Sequence, residues 1–147
     1  MQHREAQMQC FECNTEMVFG THPIETQVGR HVVVNGSVPH ERCPNCGYYE
    51  LDARAAELLE LCAAHVALHD AKDLDPAALK FARKALGLSQ VELAKKLGLT
   101  QETISRHETG ALPAGPEYTY ALAGLLSYED QAVCGVDSGH IKIERAA

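Results

Sequence analysis

No run of 18 apolar residues exists in the sequence, so no helical membrane span is expected. The opening MQHREAQMQC is polar and lacks the apolar stretch of a secretory signal, which makes the cytoplasm the expected location. Basic residues are scarce: 13 Lys and Arg stand against 20 Asp and Glu, a formal charge of -7. That balance argues against a surface coated for polyanions, because phosphate contacts need Lys and Arg. Internal repeats and low-complexity tracts are also absent.

Six cysteines are present, unevenly placed, in 147 residues. Without an export signal they point to reduced thiols or a metal rather than to a disulfide scaffold. A chain of this length divides into two small domains, each with little core, and a small domain often needs a metal as reinforcement. Charge is uneven as well. Residues 1–74 carry 5 basic and 11 acidic side chains, residues 75–128 carry 6 and 5, and residues 129–147 carry 2 and 4. Any DNA-facing charge therefore sits in the middle segment, and the acidic front half suits a basic protein partner.

Two Cys-x-x-Cys pairs, CFEC and CPNC, place Cys10, Cys13, Cys43 and Cys46 on either side of 29 intervening residues. Each turn directs two thiolates toward one point about 2.3 Å away, and two turns complete the tetrahedral shell that Zn²⁺ prefers. One structural zinc is expected. Four thiolates leave no position for water, so no catalytic residue is assigned and the chain is not read as an enzyme. A redox dithiol is the competing enzymatic reading, but no thioredoxin-like βαβ pattern surrounds either pair. His22, His31 and His40 fall inside the module and are alternative ligands. Gly47 after the second pair suits a tight turn that brings N–H groups toward sulfur. Cys62 reads as a buried core thiol on a helix, and Cys134 as an isolated tail cysteine.

Strand-like pieces at Met17–Phe19, Ile24–Val28 and His31–Val34 fill the space between the knuckles, with Gly20 and Gly29 at their ends and Asn35-Gly36 as a hairpin signal. From Asp52 to His69 the sequence is helical, with Ala55, Leu58, Leu59, Cys62 and Val66 on one face. A linker follows, and the domain boundary is expected near residues 70–75. Asp75 is placed as an N-cap and Pro76 at the first helical position. Four helices are expected over Pro76–Leu86, Gln90–Leu97, Gln101–Glu108 and Glu117–Ser127. Ser89 with Glu92 has the spacing of a capping box, and Thr100 with Thr103 keeps half of one. A short strand near His140–Ile143 is the one feature of the tail. The fold class is α+β: a small zinc-bound β-meander with a helix (8–70), an all-α helix-turn-helix domain (75–128), and a tail (129–147).

The run GLSQVELAKKLGLTQETISRHETG carries the helix-turn-helix pattern. Ala94 stands where the helices cross, Gly98 in the turn, and Ile104 in the core with Leu93, Leu97 and Leu99. In that geometry the second helix enters the major groove. Gln101, Glu102, Thr103 and Arg106 are the expected base contacts: Gln101 suits adenine, Arg106 guanine, and Glu102 cytosine N4. An i,i+4 ion pair between Glu102 and Arg106 on a solvated face is the bland alternative. Ser89 and Gln90 are expected phosphate ligands, with Lys80 and Arg83 adding charge and Lys95 and Lys96 as further cations. So few cations imply weak binding by one module and hence a homodimer on palindromic operator DNA. The last helix, with Tyr118, Tyr120, Leu122, Leu125 and Leu126, is the candidate interface or an ordinary part of the core.

From Met8 to Ser127 the order of CxxC…CxxC module, helical connector and helix-turn-helix resembles the MqsA family of type II antitoxins, with ISRHETG similar to the end of that family's recognition helix. The helix-turn-helix itself is similar to the Cro and repressor type. The resemblance implies that the zinc-bearing half neutralises a cognate toxin, usually a ribonuclease, that the C-terminal half represses its own operon as a dimer, and that Arg106 occupies a DNA-contacting position. Glu102 departs from the Asn that the family tends to carry there, which implies a different operator. The alternative function is a stand-alone helix-turn-helix regulator whose zinc module is structural or senses metal.

Overall fold

The computed structural model describes residues 7–70, 75–133 and 141–145. β1 (Val18–Val28) and β2 (His31–Arg42) form one long antiparallel hairpin, with Val28 opposite His31 at the turn and Val18 opposite Arg42 at the far end. Its turn is Gly29-Arg30 and not the expected Asn35-Gly36. Gly29 has φ 59°, a left-handed conformation that costs any residue with a Cβ, whereas Asn35-Gly36 lies inside β2. There the register slips: Ile24 pairs with Asn35 but His22 with Val38, so Pro23 alone faces Gly36 and Ser37. Proline cannot donate to a ladder, and a bulge on the partner strand accommodates it. The strands expected on either side of Gly20 consequently merge into one.

β3 (Tyr49–Glu50) pairs with the end of β2. β4 (Ile141–Arg145) pairs with His31–Asn35, so the tail strand expected near residues 140–143 begins at Ile141, while residue 140 lies outside the described residues.

α1 (Ala53–Asp70) starts on Asp52, whose carboxylate accepts the Ala55 N–H at 2.7 Å. The expected apolar face is too narrow. Buried positions run over Leu61–Ala64, Ala67 and Leu68, which cover two sides of the helix. Ala63 and Ala67 pack with Val28 and Val33 of the sheet, while Leu61, Ala64 and Leu68 join Leu79, Leu93, Ile104, Leu122 and Leu126. Small alanine side chains let the helix approach both neighbours closely, so it serves both the sheet and the helical core. Cys62 is buried as expected, but it is disulfide-bonded rather than a free thiol. Cys134 lies outside the described residues, as do positions 71–74 of the expected boundary.

The helical region comprises α2 (Pro76–Ala85), α3 (Gln90–Leu97), α4 (Gln101–Thr109) and α5 (Pro116–Val133). The Ser89–Glu92 capping box is complete: Ser89 Oγ accepts the Glu92 N–H at 3.1 Å and Glu92 accepts the Ser89 N–H at 2.7 Å. Such a cap contributes about 1 kcal/mol. Asp75 occupies its expected N-cap position, but its carboxylate does not cap α2. It accepts the Arg30 N–H at 3.1 Å and thereby ties the hairpin turn to the start of the helical region. A Cβ on Gly29 would stand 2.1 Å from that carboxylate, so glycine is needed here for space as well as for φ. No helix among the described residues is long and apolar enough to cross a membrane.

Candidate metal centre and nucleic-acid interface

The first knuckle is a tight hairpin in which Cys10 donates its N–H to the Thr15 carbonyl (2.8 Å) and accepts that of Asn14 (2.8 Å). The second repeats the form: Cys43 donates to Tyr48 (2.7 Å) and accepts from Gly47 (3.1 Å). β1 and β2 then bring the two turns together at one end of the sheet, and the four sulfurs lie within 4.8 Å of one another. Cys10 Sγ is 3.6 Å from Cys46 Sγ, and Cys13 Sγ is 3.4 Å from Cys43 and 3.6 Å from Cys46. A tetrahedron of thiolates about 2.3 Å from a central ion has edges of about 3.8 Å, so the donor set has the size a metal needs. Cys10 and Cys43 are buried, Cys13 is half-buried and Cys46 is exposed.

Electrostatics within the cluster are uneven. Hydrogen bonds from the Thr15 and Asn45 side chains and the Thr15 backbone hold the Cys13 thiol down at about 5. The Cys46 and Asn45 N–H groups lower Cys43 against the cost of its burial. Cys46 is pulled down by the Tyr48 N–H, yet burial and three neighbouring sulfurs push it up to about 12. Four thiolates this close repel one another, and a divalent cation would remove that repulsion. No histidine joins the cluster among the described residues. His40 is buried, with Nδ1 2.8 Å from the Val38 carbonyl and a ring that packs on His22 and Tyr49.

In the helical half, α3 ends on Gly98 in the left-handed conformation (φ 66°), which the turn into α4 requires of a residue without a Cβ. Thr100 then caps α4 by accepting the Thr103 N–H at 3.2 Å. Ala94 and Ile104 are buried where the two helices meet. Gln101, Glu102 and Arg106 are exposed on the first two turns of α4, and Glu102 meets Arg106 at 2.9 Å across one helical turn. Thr103 is half-buried, and its hydroxyl lies 2.9 Å from that of Thr100. Ser89 and Gln90 open α3, and Gln90 Oε1 accepts from Gln101 Nε2 at 3.1 Å, so the first residue of α4 is tied to the first residue of α3.

Arg83 does not stand with the exposed cations. It is buried on α2, where it forms a bidentate pair with Glu108 and donates to the Leu88 carbonyl at 2.8 Å. In place of the expected charge toward phosphate, its guanidinium is held by Glu108, 25 positions on, whose carboxylate enters the core beside it. Glu108 also accepts from Gln90 Nε2 at 3.0 Å. The result is one chain of hydrogen bonds, Arg83–Glu108–Gln90–Gln101, running from the core to the exposed start of α4. Sequence spacing gave no sign of it. Lys80, Lys95 and Lys96 are exposed. On α5, Tyr118, Leu122 and Leu126 are in the core, Leu125 is partly buried against it, and Tyr120 is 75 % exposed.

Residues 79–128 match the helix-turn-helix family. The match covers most of α2 and all of α3 and α4, extends into α5, and stops short of the sheet. This segment is a helix-turn-helix domain, the fold of DNA-binding regulators that are generally not enzymes, and the four cysteines ahead of it are placed to hold a metal ion. No curated protein matches the chain.

Proposed function

We propose that the protein is an antitoxin-type transcriptional autorepressor. Residues 75–128 read a palindromic operator as a homodimer, and residues 8–70 hold one structural zinc and bind a cognate toxin. In this reading Gln101, Glu102, Thr103 and Arg106 meet base edges, while Ser89, Gln90 and Lys80 meet phosphates. The observation that carries it is the exposed row Gln101, Glu102 and Arg106 at the start of α4, inside the matched helix-turn-helix segment. The Glu102–Arg106 pair is 57 % and 73 % exposed in the order Arg106, Glu102, so solvent weakens it and a guanine edge can compete for the guanidinium.

Two features support the toxin partner. Residues 1–74 have more than twice as many acidic as basic side chains, which favours a basic partner. Two of the three phenylalanines, Phe11 and Phe19, lie exposed on the cysteine-bearing half, and exposed aromatic side chains are the usual anchors of protein interfaces. Zinc fits the donor set because four thiolates at tetrahedral spacing suit that ion.

Selection of bound sequences from random duplex DNA by the full chain tests the first half of the reading. A two-fold symmetric consensus is expected, and Arg106→Ala should erase the preference at one position of each half-site while leaving zinc content unchanged. A consensus that survives Arg106→Ala intact removes Arg106 from the base-reading set. Purification from the native host at low salt tests the second half: a small basic ribonuclease is expected to remain bound, and its absence favours a stand-alone regulator.

A further inference from the structure

We infer that the cleft between the hairpin turn and the α4–α5 loop is a binding site for a small organic carboxylate with an apolar body. The cleft encloses about 770 Å³, within the range of pockets for small organic ligands. It is built from distant parts of the chain: Arg30 comes from the β1–β2 turn, Leu68 and His69 from the end of α1, Leu79 from α2, and Leu112, Thr119 and Tyr120 from the loop and α5.

Its charge departs from that of the rest of the molecule. The chain has 20 acidic residues, yet none of the described residues that line this cleft is acidic, whereas Arg30 and His69 both reach it. Asp75, beside the lining residue Pro76, has its carboxylate committed to the Arg30 N–H. That commitment leaves the start of α2 without a side-chain cap, and Pro76 at that start lines the cleft, as does Pro116 at the start of α5. Asp75 and Glu117 at those two helix starts offset the helix dipoles, so the positive side of the cleft rests on Arg30. Much of the remaining lining is apolar, with Thr119 and His107 as its polar members. Leu68 and Leu79 are buried, Leu112 is exposed, and Tyr120 presents most of its ring to solvent. An anionic head would sit at Arg30 and His69, with an aromatic or medium-chain body on the leucines and against Tyr120.

The site bears on DNA through position. Its wall includes His107 on α4, whose Nδ1 lies 3.1 Å from the Leu112 carbonyl and so joins the end of the recognition helix to the loop. An occupant that shifts this loop would shift the seating of α4. That consequence rests on the proposed DNA reading, whereas binding itself does not.

The test is calorimetry and ligand-observed NMR on the full, metal-loaded chain, with phenylacetate and octanoate as probes and their neutral amides as controls. Saturable binding of at least one acid is expected, with its amide at least tenfold weaker. Arg30→Gln should weaken the acid about tenfold and leave the amide unchanged, because one charge-assisted hydrogen bond is lost. Tyr120→Ala should weaken acid and amide alike. Arg54→Gln, exposed elsewhere on α1, should change neither. Failure of both acids to saturate overturns the proposal. So does equal affinity for acid and amide, or an acid affinity that Arg30→Gln leaves intact. DNA binding measured in parallel separates these outcomes from failure of the operator reading, which would leave the carboxylate result standing.

Discussion

Replacing Glu108 with alanine would leave the Arg83 guanidinium buried on α2 with the Leu88 carbonyl as its remaining acceptor. Breaking a buried pair by removing one partner typically costs about 3 to 5 kcal/mol, because the surviving charge is uncompensated. For a chain of this size each kcal/mol lowers Tm by about 3 °C, so thermal unfolding followed by circular dichroism should register a fall near 10 °C. Two controls isolate the cause. The double variant R83M/E108L replaces both charges with apolar groups of similar volume and should recover most of the loss. Acid should shrink the difference. Burial works against the Glu108 charge, but its bonds with Arg83 and Gln90 outweigh that cost and lower its pKa. The folded value lies below the unfolded value, so the stabilisation is complete above the unfolded carboxylate range and fades as pH falls through the folded value. A loss under 1 kcal/mol at neutral pH, or a double variant as unstable as Glu108→Ala, would refute the account of this pair.

Further expectations concern the other half of the chain. Cys43→Ser should lose stoichiometric zinc in elemental analysis and hydrogen-exchange protection over residues 10–50, since the cluster joins both ends of the hairpin; retention of one zinc would remove Cys43 from the ligand set. Zinc affinity should fall as pH falls, because thiolates are the ligands. Loading at neutral pH should release fewer than four protons, since Cys13 is held at about 5 whereas Cys46 is pushed up to about 12; calorimetry in buffers of different ionisation enthalpy counts them. Gly29→Ala should cost about 2 kcal/mol from left-handed strain and displacement of Asp75. Adding Asp75→Ala should relieve the clash without relieving the strain, so a double-mutant cycle should show strong coupling.

What could be read before folding was local. The two CxxC turns, the Ser89–Glu92 box and the Thr100 cap each lie within four residues, and a few side chains settle them. What escaped depends on distant partners. Asn35-Gly36 has the composition of a turn, but Pro23, brought opposite by the hairpin, makes it the site of a bulge. Arg83 reads as a surface cation until Glu108 arrives from α4. Asp75 reads as a cap for its own helix until the Gly29-Arg30 turn presents a better donor. The apolar face of α1 looks like one stripe because alanines carry little hydrophobic signal, yet Ala63, Ala64 and Ala67 are the positions that let two neighbours close on the helix.

The pairing of Arg83 with Glu108 in the core bears on the DNA binding proposed above. Without Arg83, the exposed cations of α2 to α4 are Lys80, Lys84, Lys95, Lys96 and Arg106, and Arg106 shares its charge with Glu102. Each phosphate contact contributes one released counterion, so a single domain with so few of them gains little affinity from the backbone and loses little when salt is raised. Selectivity then falls on geometry. The chain from Arg83 through Glu108 and Gln90 anchors Gln101 to the buried pair, so in the proposed reading the side chain that meets a base edge is oriented before DNA arrives. Such an arrangement gives up electrostatic affinity for a pre-set reading head. Two such heads on a symmetric site would recover the affinity that one domain cannot reach.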